Sequence, residues 1–297
     1  MKNPIISIIV LVKNDPGIEV TLAALKHIQY PAETEVIVID ASTPENIAKY
    51  RTKHPDVRWL PFDISQIKKA TFPEQRNAAI ANTFGEYIIF LDCGCVPNKD
   101  WLEKQYELLQ TPNIVVSTRI TSKGRQSVFE IDPSTLNQKI IERFEAGGIG
   151  LGFSRNTFNQ IGKFDERFTF AEDVDFTWRA RLMGYKILLN TEAVVAHDWE
   201  KWGKEILRAF KYGASRAKLY KKYPQLWRQL FGHDLHALAY SLFILGLPIA
   251  LFCPYYLLVL MIPLVKNSKR KPFQVVLINL LYGSGFIYGA LRKGYAV

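Results

Sequence analysis

The 297-residue chain is 48% hydrophobic and 22% charged, which supplies a sizeable core and excludes a disordered chain or a disulfide-stapled mini-protein. Its net charge of +10 is unevenly placed: residues 1–198 hold 23 Lys/Arg against 25 Asp/Glu, and residues 199–297 hold 15 against 3. A nucleic-acid binder with a basic folded part is excluded by the near-neutral front half, whereas the basic, apolar tail points to a membrane surface carrying anionic lipids.

Three cysteines, Cys93, Cys95 and Cys253, are too few and too odd in number for a disulfide framework, so the front half is expected in a reducing, cytosolic setting. The apolar run Ile5–Val12 ends at Lys13-Asn14-Asp15. It is too short for a secretory signal and reads as a first buried strand.

Further strands are expected at Glu35–Ile39, Val57–Leu60, Glu86–Leu91 and Asn113–Thr118. Apolar residues at helical spacing alternate with them at Gly17–Ile28, Pro44–Lys53, Pro73–Asn82 and Lys99–Leu109, with Pro44 and Pro73 suited to first turns. Such alternation predicts an α/β fold, a mostly parallel sheet covered by helices on both faces, with ligands gathered beyond the carboxyl ends of the strands. The polar stretch Arg119–Ala146 interrupts the pattern and reads as a loop with a short helix. After Gly147–Gly152, helices are expected at Arg155–Ile161 and Glu172–Met183, and two strands at Tyr185–Leu189 and Ala193–His197.

The tail divides in two. Lys201–Gln229 carries nine Lys/Arg among Trp202, Phe210, Tyr212, Tyr220, Tyr223 and Trp227, the composition of a helix lying in the headgroup layer. Ala237–Val265 and Phe273–Leu291 then run 29 and 19 residues without a charge, each near the length needed to cross the hydrocarbon. Two full crossings would put the basic loop Lys266–Lys271 outside, against the positive-inside rule, and Pro248, Pro254 and Pro263 allow the first segment to re-enter instead. The expected division is therefore a domain over 1–198, a basic interfacial segment over 199–236 and a membrane-embedded region over 237–297.

Several residues sit where chemistry is done. Asp40 closes a strand in VIDAS and can accept hydrogen bonds from a base or ribose, or simply start a turn. Arg76, in QRNAAI, can grip phosphate oxygens. Asp92 ends YIIFLD and can reach a hydrated divalent ion, while Cys93-Gly94-Cys95 lacks the second Cys/His pair that zinc would need and reads as a spacer. Glu172, Asp173 and Asp175 open a helix, where they are caps or a general base, and His197 ends the last strand as a metal ligand or a structural histidine.

In order and spacing, VIDAS, QRNAAI, FLDCGCVP, GGIGLGFS, IGKFDERF, AEDVDFTWRARLMGYKI and AVVAH resemble the family 2 nucleotide-sugar glycosyltransferases of GT-A fold, over residues 5–198. The resemblance implies a nucleotide-diphosphate sugar donor, with a UDP-sugar favoured, a divalent metal (Mn²⁺ or Mg²⁺) and inversion at the anomeric carbon. It makes Asp40 a contact to the base, Arg76 a contact near the diphosphate, and Gly147-Gly148 the loop beside donor and acceptor. Asp173 would be the catalytic base with Glu172 beside it, and Asp92 with His197 would hold the metal. Gly94 departs from the family's Asp-x-Asp, and no Gln-x-x-Arg-Trp follows His197, so transfer of a single sugar is expected rather than polymerisation. A lipid-linked or saccharide acceptor at the cytoplasmic membrane face suits the tail. The competing readings are a sugar-nucleotide-binding scaffold without turnover and a membrane subunit that recruits partner enzymes.

Overall fold

The computed structural model describes residues 6–29, 33–62, 71–124, 127, 130, 136–198, 202–268 and 271–292. The chain forms two compact units, one of residues 1–166 with 172–199, the other of residues 167–171 with 200–297.

In the first unit, β1 (Ile6–Val12), α1 (Gly17–Leu25), β2 (Thr34–Asp40), α2 (Pro44–Lys53), β3 (Arg58–Pro61), α3 (Phe72–Ala81) and β4 (Tyr87–Asp92) alternate as the sequence predicts. β5 (Val96–Pro97), α4 (Trp101–Leu109), β6 (Ile114–Ser122), β7 (Ile140–Arg143), β8 (Gly152–Ser154), α5 (Arg155–Ile161), α6 (Glu172–Leu182) and β9 (Lys186–His197) follow. The strands form one sheet in the order β3-β2-β1-β4-β8-β6-β9-β5, with β7 paired to β9. β1, β2, β3 and β4 pair in parallel, as do β6 and β9, whereas β8 lies antiparallel between β4 and β6. All six of these parallel-running strands therefore end at the same edge of the sheet.

Because both faces are covered, β1 is apolar at nearly every position. Ile6, Ile8, Val10 and Val12 pack with Ile18 and Leu22 of α1, Tyr50 of α2 and Trp101 and Leu102 of α4. Ile9 and Leu11 face the other way, toward Ala79 and Ile80 of α3, Phe158 of α5 and Phe176 of α6. A one-residue slip of β1 would exchange the two faces, so the alternation fixes its register. Phe90, Phe153, Phe164 and Phe176 form a ring cluster on the second face, with centroids 4.7–6.3 Å apart.

Two expectations need correction. The described part of Arg119–Ala146 carries strand rather than helix: β6 runs on to Ser122, and Ile140–Arg143 adds an antiparallel edge to β9. The two expected strands at 185–197 are one, with its register to β6 jumping from Thr118/Asn190 to Arg119/Val194. Asn190 absorbs the extra residues, its Oδ1 accepting from the N–H groups of Glu192 (3.1 Å) and Ala193 (3.3 Å), as a β-bulge requires.

The second unit contains α7 (Trp202–Lys222), α8 (Leu235–Leu245), α9 (Met261–Lys266) and α10 (Pro272–Leu291), with 3₁₀ segments at Pro224–Phe231, Leu247–Leu251 and Pro254–Leu260. The uncharged run 237–265 is thus no single helix. It breaks at Gly246 and at Cys253, just ahead of Pro248 and Pro254, where the ring removes a donor and blocks helix continuation. Among the described residues α10 alone is long and apolar enough to cross a membrane, with mean hydropathy 1.4. α7 and α10 meet backbone to backbone: a Cβ on Gly213 would lie 1.9 Å from the Tyr282 carbonyl oxygen, and one on Gly285 2.0 Å from that of Phe210.

Arg155 locks the turn that leads into β4. Its guanidinium donates to the carbonyls of Gly85 (2.9 Å), Ile80 (3.2 Å) and Thr83 (3.0 Å) and to Thr83 Oγ1 (2.8 Å). Arg155→Ala is expected to cost about 2–4 kcal/mol of stability, since several acceptors lose a charged donor at once. A lowered denaturation midpoint would show it; an unchanged midpoint would mean that water replaces the arginine.

Candidate functional site

Every residue singled out from the sequence lies at the carboxyl edge of the sheet or in a segment leading to it. Asp40 is the last residue of β2, opposite Val12 at the end of β1. Its Oδ1 accepts from the Ser42 N–H (2.8 Å), and the Asn14 N–H donates to Ser42 Oγ (2.6 Å), so the loops after β1 and β2 are stitched together. Asn14 sits at φ 52°, a left-handed conformation that asparagine tolerates. Asp40 is 1% exposed, and its Oδ2 has no hydrogen-bond partner among the described residues. A buried carboxylate oxygen left unpaired is costly, which marks Asp40 Oδ2 as a candidate acceptor.

Asp92 ends β4 and is half-buried. The chain then turns tightly, with the Cys95 N–H reaching back toward the Asp92 carbonyl (3.4 Å) and Gly94 at φ 82°. A side chain at 94 would meet no atom within 4 Å, so the backbone conformation and not lack of room selects glycine there. Cys93 Sγ donates to the Leu11 carbonyl (3.1 Å), and Cys95 is fully buried. Burial pushes both thiols up, with the charge of Asp92 adding to it at each, so neither presents a thiolate. β5 then pairs Val96 with Ala196, which brings the turn after Asp92 alongside the end of β9, where His197 stands opposite Ser122 of β6.

The densest part is built from α3, the glycine loop and α6. Arg76 is 3% exposed, lies over the rings of Phe90 (4.7 Å) and Phe164 (5.5 Å), and brings Nε to 3.4 Å from Glu172 Oε1. Its Nε and Nη1 have no hydrogen-bond acceptor among the described residues. Gly148 leaves room for it, since a Cβ there would fall 2.0 Å from Arg76 Nη2. Asp173, half-buried, accepts from the backbone N–H groups of Val174 (2.8 Å) and Gly148. Asp175 takes no part: it is fully buried and paired with Arg179 at 3.0 Å, one helical turn on. Ala171, just before the acid pair, is held at φ 64°, a strained conformation for a residue with a Cβ.

Burial pushes Glu172 up to about 8, helped by the charge of Asp173 and opposed by Arg76. Asp173 is raised as well, by burial first, against the pull of Arg76 and of the two backbone N–H groups. Two carboxylates beside one guanidinium in a low-dielectric pocket act as a unit that holds a proton at neutral pH.

Sequence reasoning passed over the residues that hold this arrangement. Asn77 brackets Phe164, donating to its carbonyl (2.9 Å) and accepting from its N–H (2.9 Å). Thr177 Oγ1 accepts from the Ala146 N–H (3.4 Å) and Trp178 Nε1 donates to Glu145 (2.9 Å), tying α6 to the approach to Gly147. A signal for the first was present: Gln75, Arg76 and Asn77 are three successive polar residues in a helix otherwise ending in Ala and Ile, and all three are buried. Among the described residues no three His, Cys, Asp or Glu side chains converge as a metal site.

The sequence profile of glycosyl transferase family 2 matches residues 7–168. This chain belongs to that family. Glycosyltransferase AglE of Haloferax volcanii is 24% identical over 230 residues, which are 73% of this chain and 74% of that protein. The pre-mycofactocin glycosyltransferase of Mycobacterium tuberculosis is 27% identical over 207 residues, 64% of this chain and 43% of the relative. Among solved structures, the mannosyltransferase PcManGT from Pyrobaculum calidifontis, in complex with GDP-Man and Mn²⁺, superposes with a TM-score of 0.70 at 18% identity, over 99% of this chain and 89% of the other. At that identity the likeness establishes the fold, the GT-A arrangement of a central sheet between helices. The protein is a glycosyltransferase of family 2, and the acid-lined edge described above is the candidate active site of this enzyme.

Glu172 gives the site a pH signature. The unfolded chain releases this proton near 4.5 and the folded chain near 8, so the folded state binds more protons between those values and stability falls as pH rises through them. Glu172→Gln, which mimics the protonated acid, is expected to flatten that part of the stability–pH curve. A curve of unchanged slope would refute the weakened acidity of this residue.

Proposed function

We propose that the enzyme transfers a single sugar, with inversion, from a nucleotide-diphosphate donor to a hydroxyl on a lipid-linked or saccharide acceptor, working at the cytoplasmic face of a membrane. The observation that carries this reading is the closed set of Arg76, Gly148, Glu172 and Asp173 at the same sheet edge as Asp40 and Asp92. Asp173 is the base: its burial makes it a stronger proton acceptor than an exposed aspartate, and the Gly148 and Val174 N–H groups fix its direction. It takes the proton from the acceptor hydroxyl as that oxygen bonds to the anomeric carbon and the diphosphate leaves with its bonding electrons. Glu172 keeps the shared proton, and Arg76 holds the pair in place through Nε while its Nη1, without an acceptor among the described residues, can meet an incoming oxygen. Asp40, through Oδ2, receives a donor from the nucleotide's base, and Gly147-Gly148 leaves space beside the reacting sugar.

A divalent cation, Mn²⁺ or Mg²⁺, fits this site only as a companion of the donor. Asp92 and His197 would hold it with phosphate oxygens and water, because no three-ligand set exists among the described residues and hard cations of this kind readily keep water. When bound, it would neutralise charge on the departing diphosphate. Support for a nucleotide-sugar donor and for metal also comes from the fold neighbours, PcManGT with GDP-Man and Mn²⁺ and GalNAc-T7 with UDP, GalNAc and Mn²⁺, the latter superposing with a TM-score of 0.60 at 12% identity over 78% of this chain and 57% of that one. Gly94, the feature that favours a scaffold without turnover, has its own explanation in the left-handed turn it makes.

Asp173→Asn is expected to lower turnover about 10³-fold while the melting-temperature rise produced by the donor survives, measured across a panel of UDP-, GDP- and dTDP-sugars. Full turnover in this variant would refute the base. Mn²⁺ alone is expected to leave the melting temperature unchanged and to raise it only together with the nucleotide. A rise with Mn²⁺ alone would mean a resident ion held by protein ligands.

A further inference from the structure

We infer that the segment Arg167–Ala171 is a positioning strap for the acid pair: Phe170, gripped by α7, keeps Ala171 in a left-handed conformation and so fixes where Glu172 and Asp173 stand. The inference rests on the reading of Asp173 as the base, and it adds what aims that base.

The strap is held at both ends by consecutive residues of α3. Asn77 Nδ2 donates to the Phe164 carbonyl (2.9 Å) and to Glu166 Oε1 (3.0 Å), and Arg76 brings Nε to 3.4 Å from Glu172 Oε1. Between those anchors the chain leaves the first unit after Glu166, joins the second as Arg167–Ala171, and returns to the first at Glu172. Within the second unit α7 takes hold of it. Lys222 Nζ lies 5.1 Å from the centre of the Phe168 ring, Lys211 Nζ lies 4.9 Å from that of Phe170, and the rings of Phe170 and Tyr212 meet edge to face at 6.2 Å. Cations placed over aromatic rings are attracted to them. Lys211 and Lys222 are about 16 Å apart along α7, whereas the two rings belong to residues only two positions apart, so the lysines close on the strap from opposite directions.

Ala171 carries the consequence. At φ 64° it occupies a region that its Cβ opposes. Such a conformation persists only where the surroundings over-determine it, and the surroundings here are the Arg76–Glu172 pair on one side of Ala171 and the gripped ring of Phe170 on the other. Steric opposition of this size shifts a backbone equilibrium roughly tenfold. An Ala171 released from Phe170 therefore turns toward the ordinary backbone regions and carries the next two residues with it, taking Glu172 away from Arg76 and Asp173 away from the Gly148 N–H that directs it. Phe170 acts on the acids through the backbone, as a positioning residue.

The test follows sugar transfer by the full chain from UDP-, GDP- and dTDP-sugars to a lipid extract of the host membranes. Phe170→Ala is expected to lower kcat roughly tenfold with the donor KM unchanged, and Phe170→Tyr, which keeps a ring for Lys211 and Tyr212, to restore it. A double-mutant cycle isolates the strap: in a chain carrying Ala171→Gly, which holds the left-handed conformation without steric opposition, Phe170→Ala is expected to cost less than about threefold relative to Ala171→Gly alone. Lys211→Met, at the exposed end of the contact, is expected to lower kcat in the same background-dependent way, which keeps the test independent of whether Phe170→Ala folds. Equal losses with and without Ala171→Gly would mean that the ring serves only folding, and a change confined to the apparent KM for the lipid extract would make Phe170 a substrate contact; either overturns the inference. Asp173→Asn is measured beside them. Full turnover there, or none in the native chain, removes the base reading and the inference with it, whereas lost turnover there with Phe170→Ala unaffected removes the strap alone.

Discussion

A single buried arginine organises the candidate active site. Arg76 has left water almost completely, so its charge must be met inside the protein, and it is met by the ring faces of Phe90 and Phe164 and by the acid pair Glu172 and Asp173, which carries one negative charge between them. Each constrains a different element. The rings belong to β4 and to the segment before α6, which Asn77 clamps through both the N–H and the carbonyl of Phe164. Glu172 sets the start of α6, and Gly148 must be glycine because the guanidinium occupies the place of its Cβ. Desolvated cation–π contacts of this sort are worth about 2 kcal/mol, and a buried ion pair broken on one side costs several times the worth of an exposed one. Geometry and charge at the site are therefore set by the same side chain.

The excess of acid over base around Arg76 has a chemical consequence. With one guanidinium for two carboxylates, the pocket cannot hold both acids ionised without penalty, and the backbone N–H groups of Gly148 and Val174 break the symmetry by favouring charge on Asp173. Neighbouring acids pushed in different ways divide the roles between them, one carrying charge and the other a proton. The Asp175–Arg179 pair one turn further on shows the contrast: there one acid meets one base, Arg179 also caps the carbonyls of Ile161, Gly162 and Lys163, and the result is structural.

What the sequence makes legible follows from what was selected locally. Strands buried on both faces are continuous apolar runs, so β1, β2, β4 and the start of β6 stand out, and the acids that end β2 and β4 are visible because they terminate such runs. β5, β7 and β8 are two to four residues long. They exist because neighbouring strands offer unpaired edges, which no local pattern records. Within the described part of Arg119–Ala146, Ile140 and Ile141 are strand for the same reason, because β9 lies beside them. At the site, residue identities were legible and relations were not. QRNAAI marks Arg76 as polar on a helix, but nothing in it says that the guanidinium turns inward to an acid 96 positions later.

The tail exposes the same limit at the level of composition. Counting uncharged residues treats Ala237–Val265 as one span, but the chain breaks at Gly246 and at Cys253, ahead of Pro248 and Pro254, and no residue from Leu247 to Val265 is buried. Length of an uncharged run measures only how much lipid-compatible surface a chain carries. Depth is decided by what the run is attached to. α10 passes the length criterion and is nonetheless joined along its second half to a helix whose Arg216 and Lys221 bond directly to it. The small residues Gly213, Gly285 and Gly289 allow that close approach, so α7 and α10 pack backbone to backbone and the charges of one helix are fixed beside the apolar surface of the other.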